Sequence, residues 1–255
     1  MTTSRIALVR QPSTRLADGI VTHIERIPVD VDLARRQHDA YVGALAGAGW
    51  DVRQVTPADD CPDSVFIEDT VVVLGSLAIV TRPGAPERRA EVAGTEATLT
   101  QLGLTIERIV SPGTLDGGDV IVSNSTVYVG RSGRTNADGV RQLRDIAGRY
   151  GYRVVAVPVD RVLHLKSAIT ALPDGTFVTW SDLVDTRLFP HVRAVPEESG
   201  AHVVALGDAD VLIAASAPRS AAMIADLGFG TIVVDIGEYE KLEGCVTCLN
   251  VLISQ

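Results

Sequence analysis

Four short stretches of this chain carry side chains able to do covalent chemistry: Asp63-Ser64-Val65-Phe66-Ile67-Glu68-Asp69, Leu115-Asp116-Gly117-Gly118-Asp119, Leu163-His164-Leu165-Lys166 and Cys245-Val246-Thr247-Cys248. They hold thiols, an imidazole and a set of carboxylates. A thiolate is a nucleophile, an imidazole beside it moves protons near neutral pH, and grouped carboxylates attract a cation. In one pocket they describe a cysteine hydrolase whose substrate carries positive charge, such as a guanidinium. The guanidinium carbon is a poor electrophile because its charge is spread over its nitrogens. Carboxylates that fix the cation in line with the thiolate, in a poorly hydrated pocket, offset that. The histidine then protonates the departing amine and deprotonates the water that breaks the covalent intermediate, with an acidic neighbour holding its ring.

Each stretch also has a plainer reading. Glu68-Asp69 beside a strand is commonly a solvated turn, but here Val65-Phe66-Ile67 precedes it and Val71-Val72-Val73 follows, so alternation turns one carboxylate inward, where it needs a cationic partner. Asp116-Gly117-Gly118-Asp119 reads equally as a glycine-rich turn. His164 between Leu163 and Leu165 reads equally as a satisfied core histidine. Cys245-x-x-Cys248 as a redox pair should open a helix after a strand, whereas residues 246–253 read as a terminal β-strand. As a zinc half-site it lacks a second pair, since only Cys61 and scattered histidines remain. One functional thiol at Cys248, with Cys245 incidental, is the simpler interpretation.

Amphipathic helical patterns cover residues 32–48, 87–102, 136–150 and 219–227, each followed at once by a glycine (Gly49, Gly103, Gly151, Gly228) and a β-rich run at 52–55, 106–110, 154–157 and 232–235. The first three runs stop at Pro57, Pro112 and Pro158. A further run at 192–195 stops at Pro196 after a weaker, interrupted helical segment near 182–189. Hairpin-like pairs lie between these units, at 71–74 with 77–81, 120–123 with 126–129, and 202–206 with 211–214. The result is five units averaging about 51 residues, a period of propeller-like repetition. If such units surround a common axis, equivalent strand ends converge there and bring the acids, the histidine and the thiol together. A Rossmann arrangement fits less well, because each unit holds an antiparallel pair and no G-x-G-x-x-G opens a helix after the first strand.

Composition agrees with a soluble globular chain: 255 residues, 46% hydrophobic and 22% charged, with no low-complexity linker, so residues 1–255 read as a single catalytic domain. With 23 basic and 32 acidic residues the net charge is −9, which gives no electrostatic support to nucleic-acid or anionic-membrane binding and suits a small cationic partner. Residues 1–14 show no secretory signal, and the longest apolar run, 71–80, is too short to span a bilayer. Three cysteines make no disulfide framework, so a cytoplasmic location is expected.

Read together with Thr81-Arg82-Pro83-Gly84-Ala85, Arg134-Thr135-Asn136, Val162-Leu163-His164-Leu165-Lys166-Ser167 and Thr247-Cys248, the sequence resembles the dimethylarginine dimethylaminohydrolases over nearly its whole length. These belong to a wider guanidino-group-modifying superfamily that includes arginine deiminase and glycine amidinotransferase. The resemblance implies an α/β fold, a five-bladed propeller (pentein) with pseudo-fivefold symmetry. It implies Cys248 as nucleophile, His164 as general acid and base, and Asp116 as the acid that orients it. Asp63, Glu68 and Asp69 become the carboxylates around the guanidinium, Phe66 a wall of the pocket, and Arg82 with Arg134 the receivers of the substrate carboxylate. Residues 16–20 resemble the mobile loop over the site, with the Ile20 carbonyl meeting the substrate α-amino group. Deiminases and amidinotransferases typically carry aspartate two positions after the histidine, where this chain has Lys166; the departure favours Nω-methylated arginine, hydrolysed to citrulline and a methylamine. The resemblance implies no cofactor, with zinc at Cys248 and His164 only as an adventitious inhibitor. Arginine deiminase activity, a non-catalytic arginine-binding pentein and a Cys-ligated metalloenzyme stay as alternatives, and the oligomeric state is open, a homodimer included.

Overall fold

The computed structural model describes residues 5–254, so the first four residues, part of the segment read for a leader, lie outside it. Among the described residues, fifteen strands form five three-stranded sheets, and each sheet has one plan. A middle strand pairs antiparallel with the strand on one side and parallel with the strand on the other. In the second blade Leu77–Val80 is the middle strand, Val71–Leu74 its antiparallel partner and Thr105–Arg108 its parallel one. The corresponding trios are Thr126–Arg131, Val120–Ser123 and Arg153–Pro158 in the third blade; Phe177–Thr179, Ile169–Ala171 and Val192–Ala194 in the fourth; and Asp210–Ala214, Val203–Ala205 and Gly230–Val234 in the fifth. The first blade is assembled from both ends of the chain: Arg5–Val9 lies between Val251–Ser254, antiparallel, and Asp51–Gln54, parallel.

A parallel pair needs a crossover, and helices supply it in four blades: Val31–Gly47, Val92–Gln101, Ala137–Arg149 and Pro218–Asp226. Asp30 and Asn136 cap the first and third of these through their side chains. All four glycines read as terminators have positive φ, from 78° to 98°, which an L side chain adopts only with strain. Two expectations change. The pattern over 87–102 starts as a 3₁₀ segment, Pro86–Glu91, before becoming α-helical. The segment near 182–189 holds only the 3₁₀ turn Thr186–Leu188; there Phe189 stacks on Tyr128 with ring centres 4.7 Å apart and meets Phe177 at 4.8 Å, filling the space a helix would cover.

Middle strands are apolar on both faces because each is covered by a neighbouring blade on either side. Ile6 and Leu8 pack with Val71 and Ala78 of the second blade, while Ala7 and Val9 pack with Val204, Leu212 and Ala214 of the fifth. Five apolar cores result, one between each pair of adjacent blades. Each fully buried Val, Leu or Ile in them contributes about 1.5–3 kcal/mol. The antiparallel strands of all five blades line one axial cavity of about 260 Å³. Its polar floor, Glu68, Lys166, Thr247 and Asn250, comes from the loops that lead into those strands. The functional stretches therefore meet at one end of the axis.

Candidate active site

On the far side of that floor is a second, narrow cavity of about 20 Å³, lined by Ile20, Asp63, Phe66, Asp69, Arg88, Arg134, Leu163, His164, Leu242, Glu243, Gly244 and Cys248. It has room for little more than one water, so a substrate the size of an amino acid enters only after something moves. The segment after the 3₁₀ turn Leu16–Asp18 borders the cavity through Ile20. Glu243, in the left-handed region at φ 60°, accepts from the Thr22 and His23 peptide N–H groups at 2.5 and 2.8 Å. The Arg26 guanidinium donates to the carbonyls of Ala17 and Gly19. The Ile20 N–H donates to both Asp63 oxygens at 3.1 Å.

His164 is 4% exposed and is held from two sides. Its Nε2 lies 3.1 Å from Asp116 Oδ2 and 3.9 Å from Asp69 Oδ1. Burial alone would lower its pKa, but Asp69, Asp116 and Asp119 outweigh it and push it up to about 9, so the ring rests as an imidazolium. Asp116 also accepts from the Gly84 N–H at 2.8 Å and lies 3.6 Å from Arg134 Nη1. The two glycines of the motif answer to close approach. A Cβ on Gly117 would stand 1.9 Å from the Glu68 carbonyl oxygen, and one on Gly118 would stand 2.6 Å from His164 Nδ1 and 2.9 Å from Asp69 Oδ1. Asp119 braces the same loops, accepting from Ser132, Thr135 and the Leu165 N–H, and burial pushes its carboxyl up to about 6.

Asp69 accepts from Arg88 Nη1 at 2.5 Å and from the Gly118 N–H at 2.9 Å. Burial would raise its pKa; His164 and Arg88 prevail and hold it near 2. Arg88 also binds Glu91, both residues being almost wholly buried, and donates to the carbonyls of Asp63 and Phe66. This Arg88–Glu91 brace was not singled out in the sequence. Its only local signal is the i, i+3 spacing of opposite charges. Arg82 requires a correction. Its side chain lies outside the narrow cavity, donates to the Gly113 carbonyl at 3.1 Å and lines a separate surface hollow with Arg89 and Arg108. Its backbone bridges to Leu115 and so steadies Asp116, while Arg134 and Arg88 are the arginines that line the cavity.

Glu68 is the second correction. It does not line the narrow cavity; its carboxylate faces the axial one, 2.5 Å from Lys166 Nζ and accepting from Thr247 Oγ1 at 2.8 Å. Burial pushes its pKa up to about 7 even beside that lysine. Phe66 meets Tyr239 edge to face with ring centres 6.2 Å apart and packs against Gly244.

Cys248 is partly exposed at the cavity and sits in a turn rather than a strand, since the closing strand starts only at Val251. Its Sγ is 3.3 Å from Cys245 Sγ and 3.4 Å from the Cys245 N–H. The side-chain hydrogen bond with Cys245 Sγ, followed by burial and the charges of Cys245, Glu68 and Asp69, pushes the Cys248 thiol well up. Asp69, Asp116 and His164 form a group able to converge on a cation, and Cys248 is not part of it. Both carboxylates are already engaged by peptide N–H groups and arginines, so they are built to hold the imidazolium. Among the described residues no helix is long and apolar enough to cross a membrane.

A ring of five blades with a thiol, an imidazolium and carboxylates at one end of its axis defines a pentein of the guanidino-group-modifying class. The N-terminal domain of ArgZ, a cyanobacterial arginine dihydrolase, has the same fold, with a TM-score of 0.87 at 19% identity over 98% of this chain and 97% of that one. Residues 18–187 match the family described as N,N dimethylarginine dimethylhydrolase, eukaryotic. The N(G),N(G)-dimethylarginine dimethylaminohydrolase of Streptomyces coelicolor is 59% identical over 99% of this chain and 98% of its own length. A mutant of the Pseudomonas aeruginosa enzyme complexed with citrulline superposes with a TM-score of 0.92 at 33% identity, over 99% of this chain and 100% of that one. The chain belongs to the dimethylarginine dimethylaminohydrolase family.

Proposed function

We propose that this chain hydrolyses Nω-methylated arginines to citrulline and methylamine or dimethylamine. The observation that carries the reading is one cavity lined by the Cys248 thiol, the His164 imidazolium and the carboxylates of Asp63 and Asp69. The substrate guanidinium enters against those carboxylates, and its positive charge stabilises the Cys248 thiolate, whose proton leaves to solvent. The thiolate adds to the guanidinium carbon. His164, held by Asp116, donates its proton to the methylated nitrogen, the C–N bond breaks, and the amine departs from an S-alkylthiouronium intermediate. Neutral His164 then takes a proton from water. The hydroxide adds to the same carbon, the C–S bond breaks, and citrulline and the thiol return.

Arg134 receives the substrate α-carboxylate and the Ile20 carbonyl its α-ammonium group. The Lys166–Glu68 pair favours a methylated over a free guanidinium, because Glu68 is neutralised and turned away, leaving Phe66, Leu163 and Leu242 to meet methyl groups. The whole chain acts as one catalytic domain, and its three free thiols suit a reducing, cytoplasmic setting. Incubation with asymmetric dimethylarginine should yield citrulline and dimethylamine in equal amounts. No product above a Cys248→Ser control would overturn the reading.

A further inference from the structure

The thiol behind the proposed nucleophile has no part in that reaction, yet its placement is specific. The Cys248 N–H donates to the Cys245 carbonyl at 3.1 Å, closing a four-residue turn. Such a turn keeps its end Cα atoms within ~7 Å, and a disulfide spans Cα separations of ~4.4–6.8 Å. The sulfurs are already 3.3 Å apart. The Cys245 N–H points at Cys248 Sγ, and Thr247 Oγ1 lies 3.3 Å from Cys245 Sγ, so both side chains are steered toward each other. The expected terminal strand over 246–253 would have pointed residues an odd number apart to opposite faces; the turn that replaces it brings the two thiols together.

Their surroundings differ. Cys248 borders the narrow cavity and is partly exposed, whereas Cys245 is 5% exposed behind it. A cavity of about 20 Å³ admits a molecule the size of water or hydrogen peroxide and not one the size of an amino acid. Cys61, the remaining thiol, borders neither of the two cavities on the axis.

We propose that Cys245 and Cys248 are a modification site for small hydroperoxides, in which Cys248 takes up the oxidant and Cys245 resolves it as a reversible disulfide. The Cys248 sulfur attacks one peroxide oxygen, the O–O bond breaks, and the departing hydroxide takes the proton that Cys248 gives up, leaving water and a sulfenic acid. Cys245 then attacks the Cys248 sulfur, the S–O bond breaks, and a second water leaves. Two thiols supply the two electrons that reduce one peroxide. A bridge across so short a loop restrains the unfolded chain little, so a dithiol reductant opens it readily. Formation of the bridge removes the nucleophile from the hydrolysis and stops its oxidation to sulfinic acid.

The inference requires Cys248 only as an accessible thiol and is separable from the hydrolase reading. The full chain, reduced and freed of reductant, is treated with hydrogen peroxide and followed by intact mass, peptide mapping and citrulline formation. The expected result is a mass lower by two hydrogens, a 245–248 bridge with Cys61 still open to alkylation, and complete loss of turnover, all reversed by dithiothreitol. In Cys245→Ala and Cys245→Ser chains the same treatment should add oxygens to Cys248, with no return of turnover. Sulfinic acid at Cys248 appearing as fast in the unaltered chain as in these variants, or a bridge to Cys61 or to a second chain, would overturn the proposal. If the reduced chain makes no citrulline, the mass data still decide the bridge, and only the hydrolase reading falls.

Discussion

His164 Nε2 lies 3.1 Å from Asp116 Oδ2, and Asp69, Asp116 and Asp119 together keep this buried imidazole charged up to a pH of about 9. The proposed reaction needs that proton for the leaving amine, so formation of the covalent intermediate should fail as pH rises through 9. In Asp116→Asn one of the carboxylates that hold the charge is gone, and the alkaline limb of kcat/KM should move down by about one unit or more. A profile that keeps its limb near 9 in this variant would assign the limb to another group.

The same proton links to stability. The folded-state value of about 9 is above the ordinary histidine value of 6.5, so the folded chain binds the proton more tightly. The stabilisation is complete below 6.5 and is lost as pH climbs to 9, amounting to something on the order of 3 kcal/mol. Thermal melts across that window should show the Tm falling, and the slope should be shallower in His164→Gln.

Gly118 has no room for a methyl group. Gly118→Ala should displace the imidazole or the Asp69 carboxylate and lower kcat by about 100-fold, the penalty expected for an ångström of misplacement. Gly133→Ala, whose Cβ would meet nothing within 4 Å, is the matched control and should be near full activity. Steady-state kinetics of the two variants make the comparison.

The two arginines expected to receive the substrate carboxylate should now behave differently. Arg134→Ala should raise KM by one to two orders of magnitude, the loss of about 1.5–3 kcal/mol of charged hydrogen bonding. Arg82→Ala, outside the cavity, should leave KM within about twofold, as surface substitutions usually do. Equal effects in both would return Arg82 to the substrate.

Lys166→Met leaves Glu68 buried without its cation and should destabilise the chain by about 3–5 kcal/mol. Adding Glu68→Gln should recover much of that loss, because no charge remains to be stranded. Denaturant unfolding of the single and double variants measures the coupling.

The regularity of the ring was legible because it rests on local rules: glycine where a helix must end at positive φ, proline after the outer strand, hairpins between. Arg5–Val9 escaped those rules, as its partners Val251–Ser254 are nearly the whole chain away. The fourth blade was faint because Ile169–Ala171 and Phe177–Thr179 are three-residue strands and an aromatic cluster replaces their helix. Within the site, the stretches bearing Asp63, Asp69, Asp116, His164 and Cys248 stood out by residue type. Choosing Arg88 over Arg82, or seeing Lys166 turn Glu68 away, needed the side-chain directions that only packing across blades decides. The Cys245–Cys248 contact was hidden because an apolar run masked a turn.

The seam of the ring lies three residues beyond Cys248. Arg5–Val9 joins the first blade to its other half only when Val251–Ser254 arrives, so the turn that carries Cys248 is anchored in the ring only by the strand that closes it. Because the two seam strands are neighbours, joining them with a short linker and reopening the chain at the exposed hairpin turn around Gly175 should give a rearranged order in which the thiol is made before the blade that supports it.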